Sequence, residues 1–451
     1  MRKRRILIAG LVPVVLALGA CSGGNADDTS SSGSGKVQLS YWLWDANQQP
    51  GYEQCATDFT AANPDITIKS QQYAWDDYWT KLTASFVGNS APDVFTDHLS
   101  KYADFAGQKQ IVPLDDLIAK DGFDTSVFAP GLVDPWKFTD GKTYGIPKDW
   151  DTTAFFYNAD MIKDAGYTED DLAGLNWNPD DGGTFEKLVA HLTVDKNGIR
   201  GDEAGFDKGA VAVYGIGINP EYDVTGQMQW ANFTGSLPFD ALDKNPWGTH
   251  YNLDDPDFQK TIAWFYGLSD KGYMPKSGEF TDETPAQIGS KKVAIGTNGD
   301  WASSQFFGLD GVKIGVFAGP VGPSGKRASI FNGLADSISA GSKHKAEAWK
   351  WVQYLGSTAC QDVIAGEGTV FPAIPSSTQK AMQTFADKGW PVQAFASYLG
   401  ADGHTFLPPI TEKAGQIGDL VTPALQAIHL GQQPASSLTG VNDQINAILG
   451  G

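Results

Sequence analysis

From Val37 onward, short β-branched and aromatic runs alternate with longer segments of helical spacing, and no other feature constrains the fold as tightly. Val37 to Trp44 (VQLSYWLW) reads as a strand. Tyr52, Cys55, Ala56, Phe59 and Ala62 fall on one face of a helix over 51–62, which Asn63-Pro64 stops. Ile66 to Ser70 is a second strand, Trp75 to Val87 a helix with Trp79, Leu82, Ser85 and Phe86 on one side, and residues 92–96 a third strand. Strand and helix in alternation predict an α/β fold with a mostly parallel sheet covered on both faces. In such sheets ligands bind beyond the carboxyl ends of strands. Here those ends carry Trp44-Asp45-Ala46-Asn47, Gln72-Tyr73-Ala74-Trp75 and Asp97-His98.

Later segments keep the style. Residues 145–158 hold an alternating strand followed by a helix to Gly166, and helices are expected over 184–192, 256–271, 345–357 and, as the final one, near 415–430. Strands are expected at 293–297 and 313–318. The acidic stretch Asp195 to Asp207 invites a calcium reading. It departs from the EF-hand loop, because Gly198 is the fourth residue where the sharp turn needs the sixth and Ile199 cannot ligate, so a solvated loop is the expectation.

The N-terminus speaks to location. Arg2 to Arg5 carry four positive charges, Ile6 to Ala20 form an apolar run, and Leu18-Gly19-Ala20-Cys21 closes it. Charged, apolar and small residues in that order are a secretion signal, here 1–20. The run is short and interrupted beside the roughly 20 apolar residues of a membrane span. The closing motif matches the bacterial lipobox, so Cys21 is the expected site of a thioether-linked diglyceride, with a further acyl chain such as palmitate on its freed amine. Two or more chains hold a membrane firmly where one does not. Residues 21–36, rich in Ser and Gly, read as a flexible linker. The body would then sit on the outer face of a bacterial cytoplasmic membrane.

Four of the 33 Lys and Arg lie in that signal, leaving 29 against 53 Asp and Glu. So negative a body disfavours nucleic acid and anionic lipid as partners. Many of the 14 Trp stand beside Asp, Asn or Gln, as in Trp44-Asp45, Trp150-Asp151, Gln229-Trp230 and Asp300-Trp301. Flat apolar faces next to planar hydrogen-bonding groups suit sugars. With Cys21 acylated, Cys55 and Cys360 remain, either as a disulfide or as two buried thiols. No Gly-x-Ser-x-Gly elbow, His-Glu-x-x-His or cluster of Cys and His is present, so neither catalysis nor a metal is marked.

Taken in order, YWLWD (Tyr41 to Asp45), FTAANPDITI (Phe59 to Ile68), APDVF (Ala91 to Phe95), QIVPLDDLI (Gln110 to Ile118), GKTYGIPKDWDTTAFFYNADMIKDAG (Gly141 to Gly166), KKVAIGTNGDW (Lys291 to Trp301), FNGLADSISAGSKHKAEAWKWVQYL (Phe331 to Leu355) and GTVFPAIPS (Gly368 to Ser376) resemble the extracellular solute-binding proteins of ABC importers, the branch that includes maltose-binding protein. The resemblance implies two α/β lobes, 37–147 plus 330–380 and 148–329 plus 381–451, joined by crossing segments around a ligand cleft. It places Cys55 and Cys360 in one lobe, where a disulfide would brace it without blocking hinge motion.

By the same resemblance, Trp44, Asp45 and Asn47 match a ligand loop, and Asp97 and His98 stand where a sugar contact is expected. Asp151 matches a carboxylate that binds hydroxyls, with Asp149 on the same strand face. Trp301 matches a stacking platform, Trp230 is a second platform, and Asp336 lies in the second crossing. Tyr73 joins them from the strand-end loops. The final helix reads Lys413-Ala414-Gly415-Gln416 where that branch offers another stacking tryptophan, so the likeness does not extend to that platform. The implied protein is a monomer without cofactor that captures a sugar, an oligosaccharide first of all, and docks on membrane permease subunits. The competing readings are a secreted carbohydrate hydrolase, and a receptor for a polyamine or peptide.

Overall fold

A computed structural model describes residues 35–450. The signal, the Cys21 anchor and the linker as far as residue 34 lie outside them.

Two five-stranded sheets organise the chain. The first runs in the order Ile66–Gln72, Val37–Leu43, Val94–His98, Leu334–Ile338, Ile146–Pro147, and the second Ile314–Phe317, Thr153–Asn158, Val293–Gly299, Val211–Ile216, Val194–Asp195. The first three strands of the first sheet are parallel, as the alternation predicts. The rest of the chain departs from a mostly parallel sheet. Leu334–Ile338 runs against both its neighbours, and Thr153–Asn158 runs against Val293–Gly299 and Ile314–Phe317.

The reason is visible in the register. Leu334 pairs with His98 and Thr153 with Gly299, each at the carboxyl end of its neighbour. A strand arriving from the other sheet enters at that edge and must run the opposite way. The chain crosses there twice, at 148–152 and 330–333, so the carboxyl edges of the two sheets face one another.

Helix Gln49–Ala62 covers the first sheet with Tyr52, Cys55 and Phe59 and lies against helix Thr358–Glu367. Gly51 permits that approach, since a Cβ there would come within 2.7 Å of the Ile364 Cδ1. Cys55 and Cys360 are joined across this contact, with a Cα–Cα distance of 5.3 Å. In helix Lys345–Leu355 the buried residues are Ala348, Trp349, Trp351, Val352 and Leu355. Trp351 meets Tyr41 edge-on at 5.7 Å.

The second sheet carries its own core, built with Phe155, Phe185, Phe233 and helix Pro256–Lys271. That helix is capped by the Asp255 carboxylate on the amides of Asp257 and Phe258. The helix expected near 415–430 is Ala414–His429, and it is not the last. A further helix, Leu438–Leu449, follows, burying Leu438, Asn442 and Ile445.

Candidate functional site

At the carboxyl edge of the first sheet the chain turns through Trp44, and helix Trp75–Val87 begins with Trp75 and Trp79 one turn apart. The Trp44 ring lies 5.1 Å from Trp75, 5.2 Å from Tyr78 and 5.3 Å from Trp79. His98, the last residue of its strand, brings its ring to 5.5 Å from Trp75. These edge-to-face and tilted contacts set the rings as a fixed apolar wall. Burial, then the nearby Lys101 ammonium, pulls the His98 imidazole down to about 3, so the ring is neutral.

From His98 a chain of hydrogen bonds leads to the second sheet. The side-chain amide of Asn332, from the second crossing, hydrogen-bonds His98 Nε2 at 2.8 Å and donates to Asp151 Oδ2 at 3.3 Å. At its other nitrogen, Nδ1, the ring accepts the Ser100 amide at 3.1 Å, with Ser100 Oγ at 2.8 Å. The backbones of Asp151 and Asn332 bond each other in both directions, at 2.9 and 3.1 Å. Gln227, from the loop after Val211–Ile216, donates to Asp151 Oδ1 at 2.8 Å. One carboxylate is thus held by groups from a crossing and from the second sheet.

Two further acids stand beside it. Asp149 accepts the Leu334 amide at 3.0 Å through Oδ1, and Asp300 accepts the Thr152 amide at 3.3 Å. Their Oδ2 atoms, with Asn332 Oδ1, are buried without a hydrogen-bond partner. Burial pushes the Asp149 carboxyl up to about 7, against the pull of Lys148. Asp151 and Asp300 are raised as well, first by burial and then by the charges of their acidic neighbours. Trp301 follows, half-buried, with its ring over Gly299, where a Cβ would come within 1.8 Å.

Other residues singled out by sequence have different surroundings. Asp97 faces the opposite side of its sheet, fully buried, its oxygens taken by the His98 amide at 2.8 Å and Ser337 Oγ at 3.0 Å. Asp336 pairs with Lys148 inside the first sheet. Trp230 packs edge-on against Phe258 at 5.4 Å in the second core, and is not a free platform. Tyr73 leans on Trp42 at 5.0 Å. Asp45 turns back on the Asn47 amide and the Gln48 side chain, at 2.7 and 2.8 Å, with Asn47 half-buried beside it.

Trp75 comes from one of the strand-end loops where ligand is expected, and Trp79, Gln227, Asp300 and Asn332 complete the arrangement beyond the residues singled out by sequence. Trp79 carried a signal in its helical spacing, and Asp300 in its place beside Trp301. Gln227 and Asn332 carried none. In the 195–207 loop, Asp195 is spent on the amides of Asn197, Ile199 and Asp207 at 2.8, 2.9 and 3.0 Å, the work of a loop brace. Among the described residues no group of three or more His, Cys, Asp or Glu is placed to hold a metal. What the edge offers is an aromatic wall, neutral donors, and buried acceptors with free lone pairs.

Comparison with known proteins agrees with this architecture. The profile of a family described as bacterial extracellular solute-binding protein matches residues 54–389. A putative binding protein of Brucella abortus (strain 2308) is 24% identical over 453 residues, spanning 98% of this chain and 97% of its own. A diacetylchitobiose-binding protein of Streptomyces coelicolor is 22% identical over 463 residues, spanning 99% and 98%. Among solved structures, an ABC substrate-binding protein from Listeria monocytogenes in complex with cycloalternan shares the fold with a TM-score of 0.78. Its identity is 19%, covering 92% of this chain and 99% of that one.

Proposed function

This chain belongs to the bacterial extracellular solute-binding proteins, and on that premise we propose that it captures a sugar, an oligosaccharide first of all, and delivers it to an ABC importer by closing its two lobes. The observation that carries this reading is the hydrogen-bonded chain His98–Asn332–Asp151–Gln227, which joins the two sheets beside the Trp44, Trp75 and Trp79 rings. Carboxylates accept charge-assisted bonds from hydroxyls, and indole faces cover the C–H faces of pyranose rings. The saccharides named for the Streptomyces and Listeria proteins support the same ligand class.

In this reading the lobes are 37–147 plus 330–380 and 148–329 plus 381–451, and the hinge includes the crossings at 148–152 and 330–333 with a third passage after residue 380. Ligand that touches Trp75 on one side and Gln227 on the other stabilises the closed form. The closed monomer docks on the permease, and lipid on Cys21 keeps it near, raising its effective concentration. The protein binds its sugar without turning it over.

Titration of the purified protein with a saccharide panel, read by calorimetry and tryptophan fluorescence, tests the proposal. Saturable binding with unchanged sugar on chromatography is expected. Released products would refute the binding-only reading, and a panel without binders would refute the ligand class.

A further inference from the structure

Gln227, the donor to Asp151 Oδ1, belongs to no strand or helix. It stands in the irregular loop 217–230, and such a loop keeps a side chain at one position only where its own backbone is held. Some of the ties are local. Asp223 Oδ1 accepts the amides of Thr225 and Gly226, both at 2.7 Å, and the Ala231 amide donates to the Gly226 carbonyl at 3.0 Å. Gln229 Nε2 donates to the carbonyls of Asn219 and Glu221 at 2.8 and 2.7 Å, which closes the base of the loop.

Two other ties leave the loop, one on each side of Gln227, and both end on one pair of rings. Before it in the chain, Tyr222 Oη hydrogen-bonds His429 Nδ1 at 2.6 Å, and the Tyr222 carbonyl accepts Thr422 Oγ1 at 3.1 Å. After it, Gln229 Oε1 accepts the Tyr266 hydroxyl at 2.8 Å. Tyr266 and His429 stack on each other, with centroids 4.9 Å apart and planes 18° apart. Their backbones belong to helix Pro256–Lys271 and to the last turn of helix Ala414–His429. His429 Nε2 is held in turn by Ser269 Oγ at 2.7 Å, from a residue one turn beyond Tyr266 on the same helix. Burial pulls the His429 imidazole down to about 4, so the ring is neutral.

Gln229, Tyr266, Ser269 and His429 are all buried. Burying their polar groups carries a desolvation cost that apolar side chains of similar volume would not incur. What a bonded buried network supplies is a defined position. A loop already fixed in position also loses less conformational freedom when a ligand binds to it. Resting on the sugar-binding reading above, we infer that the stacked Tyr266–His429 pair is a positioning anchor for Gln227. Through Tyr222 and Gln229 it holds the loop in its binding geometry before the sugar arrives, and so sets affinity from residues that do not touch the sugar.

The test is calorimetric titration of the whole purified protein with the saccharide panel, maltotriose, cellotriose and diacetylchitobiose among its members, and then of variants with the sugar that binds the parent most tightly. Tyr222→Phe and Tyr266→Phe each keep the ring and remove one tie, and each is expected to weaken binding about threefold to tenfold. Gln227→Ala is expected to weaken it as well. In the Gln227→Ala background the two tyrosine changes are expected to alter affinity by less than about 1.5-fold, because the anchor acts through Gln227. A structural role alone would lower the thermal midpoint without that dependence on Gln227. Tyr222 is half-buried, so Tyr222→Phe decides the matter by itself if Tyr266→Phe does not fold. Parent affinity in the tyrosine variants, or the same loss with and without Gln227, overturns this inference and leaves sugar capture intact. Failure of every saccharide to bind the parent overturns both.

Discussion

Lys148→Met isolates the cost of stranding a charge inside the first sheet. The Lys148 Nζ makes three hydrogen bonds, at 2.7, 2.9 and 3.3 Å, and rests on the Tyr52 ring, with both it and Asp336 almost fully buried. Methionine keeps the packing of the stem and removes the charge. Asp336 would retain Tyr41 Oη at 2.9 Å and Thr96 Oγ1 at 3.4 Å as donors, and lose its only ionic partner among the described residues. Removing one member of a buried pair costs about 3–5 kcal/mol, whereas replacing both members is close to neutral. With a urea slope of about 3 kcal/mol per M, the single variant should move the first-sheet transition down by about 1–2 M. The double variant Lys148→Met with Asp336→Asn should recover most of that. Burial raises the Asp336 carboxyl, so in the single variant it takes up a proton as pH falls, and the deficit against the parent should shrink toward pH 4. Urea unfolding followed by tryptophan fluorescence and far-ultraviolet dichroism measures all three proteins. A single variant as stable as the parent, or a double variant no better than the single, would refute the reasoning.

The Cys55–Cys360 bridge closes a loop of 305 residues, for which chain entropy gives an upper bound of about 5–6 kcal/mol. Cys55→Ala with Cys360→Ala should therefore lower the thermal midpoint clearly, and a midpoint unmoved in calorimetry would contradict that. Asp149 ionises near 3.9 when unfolded and is raised to about 7 in the fold. Its contribution is complete below the unfolded value and lost as pH rises from about 4 to about 7, so Asp149→Asn should lose less stability than the parent over that window, and parallel profiles of midpoint against pH would count against it. Trp75→Ala should weaken saccharide binding about fivefold to tenfold, and Asp151→Ala about tenfold to a hundredfold. Calorimetric affinities equal to the parent's would remove these two side chains from the site.

Local pattern carried much of the fold. Val211–Ile216 and Leu334–Ile338 are strands outside the expectation, but the first three strands, Val293–Gly299, Ile314–Phe317, helix Trp75–Val87 and helix Pro256–Lys271 stand where β-branched alternation and helical spacing put them, because those signals live within a few residues. Strand direction does not. That Leu334–Ile338 runs against Val94–His98 depends on the chain returning from the other sheet, a fact stored in no window of sequence. Trp230 illustrates the limit for side chains. Beside Gln229 it reads like a sugar platform, but Gly226, at φ 59°, opens a slot in which a Cβ would come within 2.2 Å of the Trp230 ring, and the indole fills the second core instead. Asp336 was chosen for its position in the crossing, and its partner lies 188 residues away.

The first crossing shows how one short segment serves three purposes. Lys148 points into the first sheet and fastens the segment there through Tyr41, Thr96 and Asp336. Asp149 and Asp151, on the alternate face of the extended chain, offer carboxylates at the edge between the sheets. Thr152 and Thr153 then tie the segment to the second side, Thr152 Oγ1 on the Phe395 carbonyl at 2.8 Å and Thr153 Oγ1 on Asn232 at 2.8 Å. Asp149–Trp150 pairs with Phe371–Pro372, and Trp150 stacks on Phe371, so these two residues stay with the first side. Rotation between the proposed lobes would then begin at Asp151, whose backbone bonds Asn332 of the second crossing. On the proposed reading, a ligand gripping Asp151 would act on the hinge backbone itself, and a charge removed there should alter closure as well as affinity.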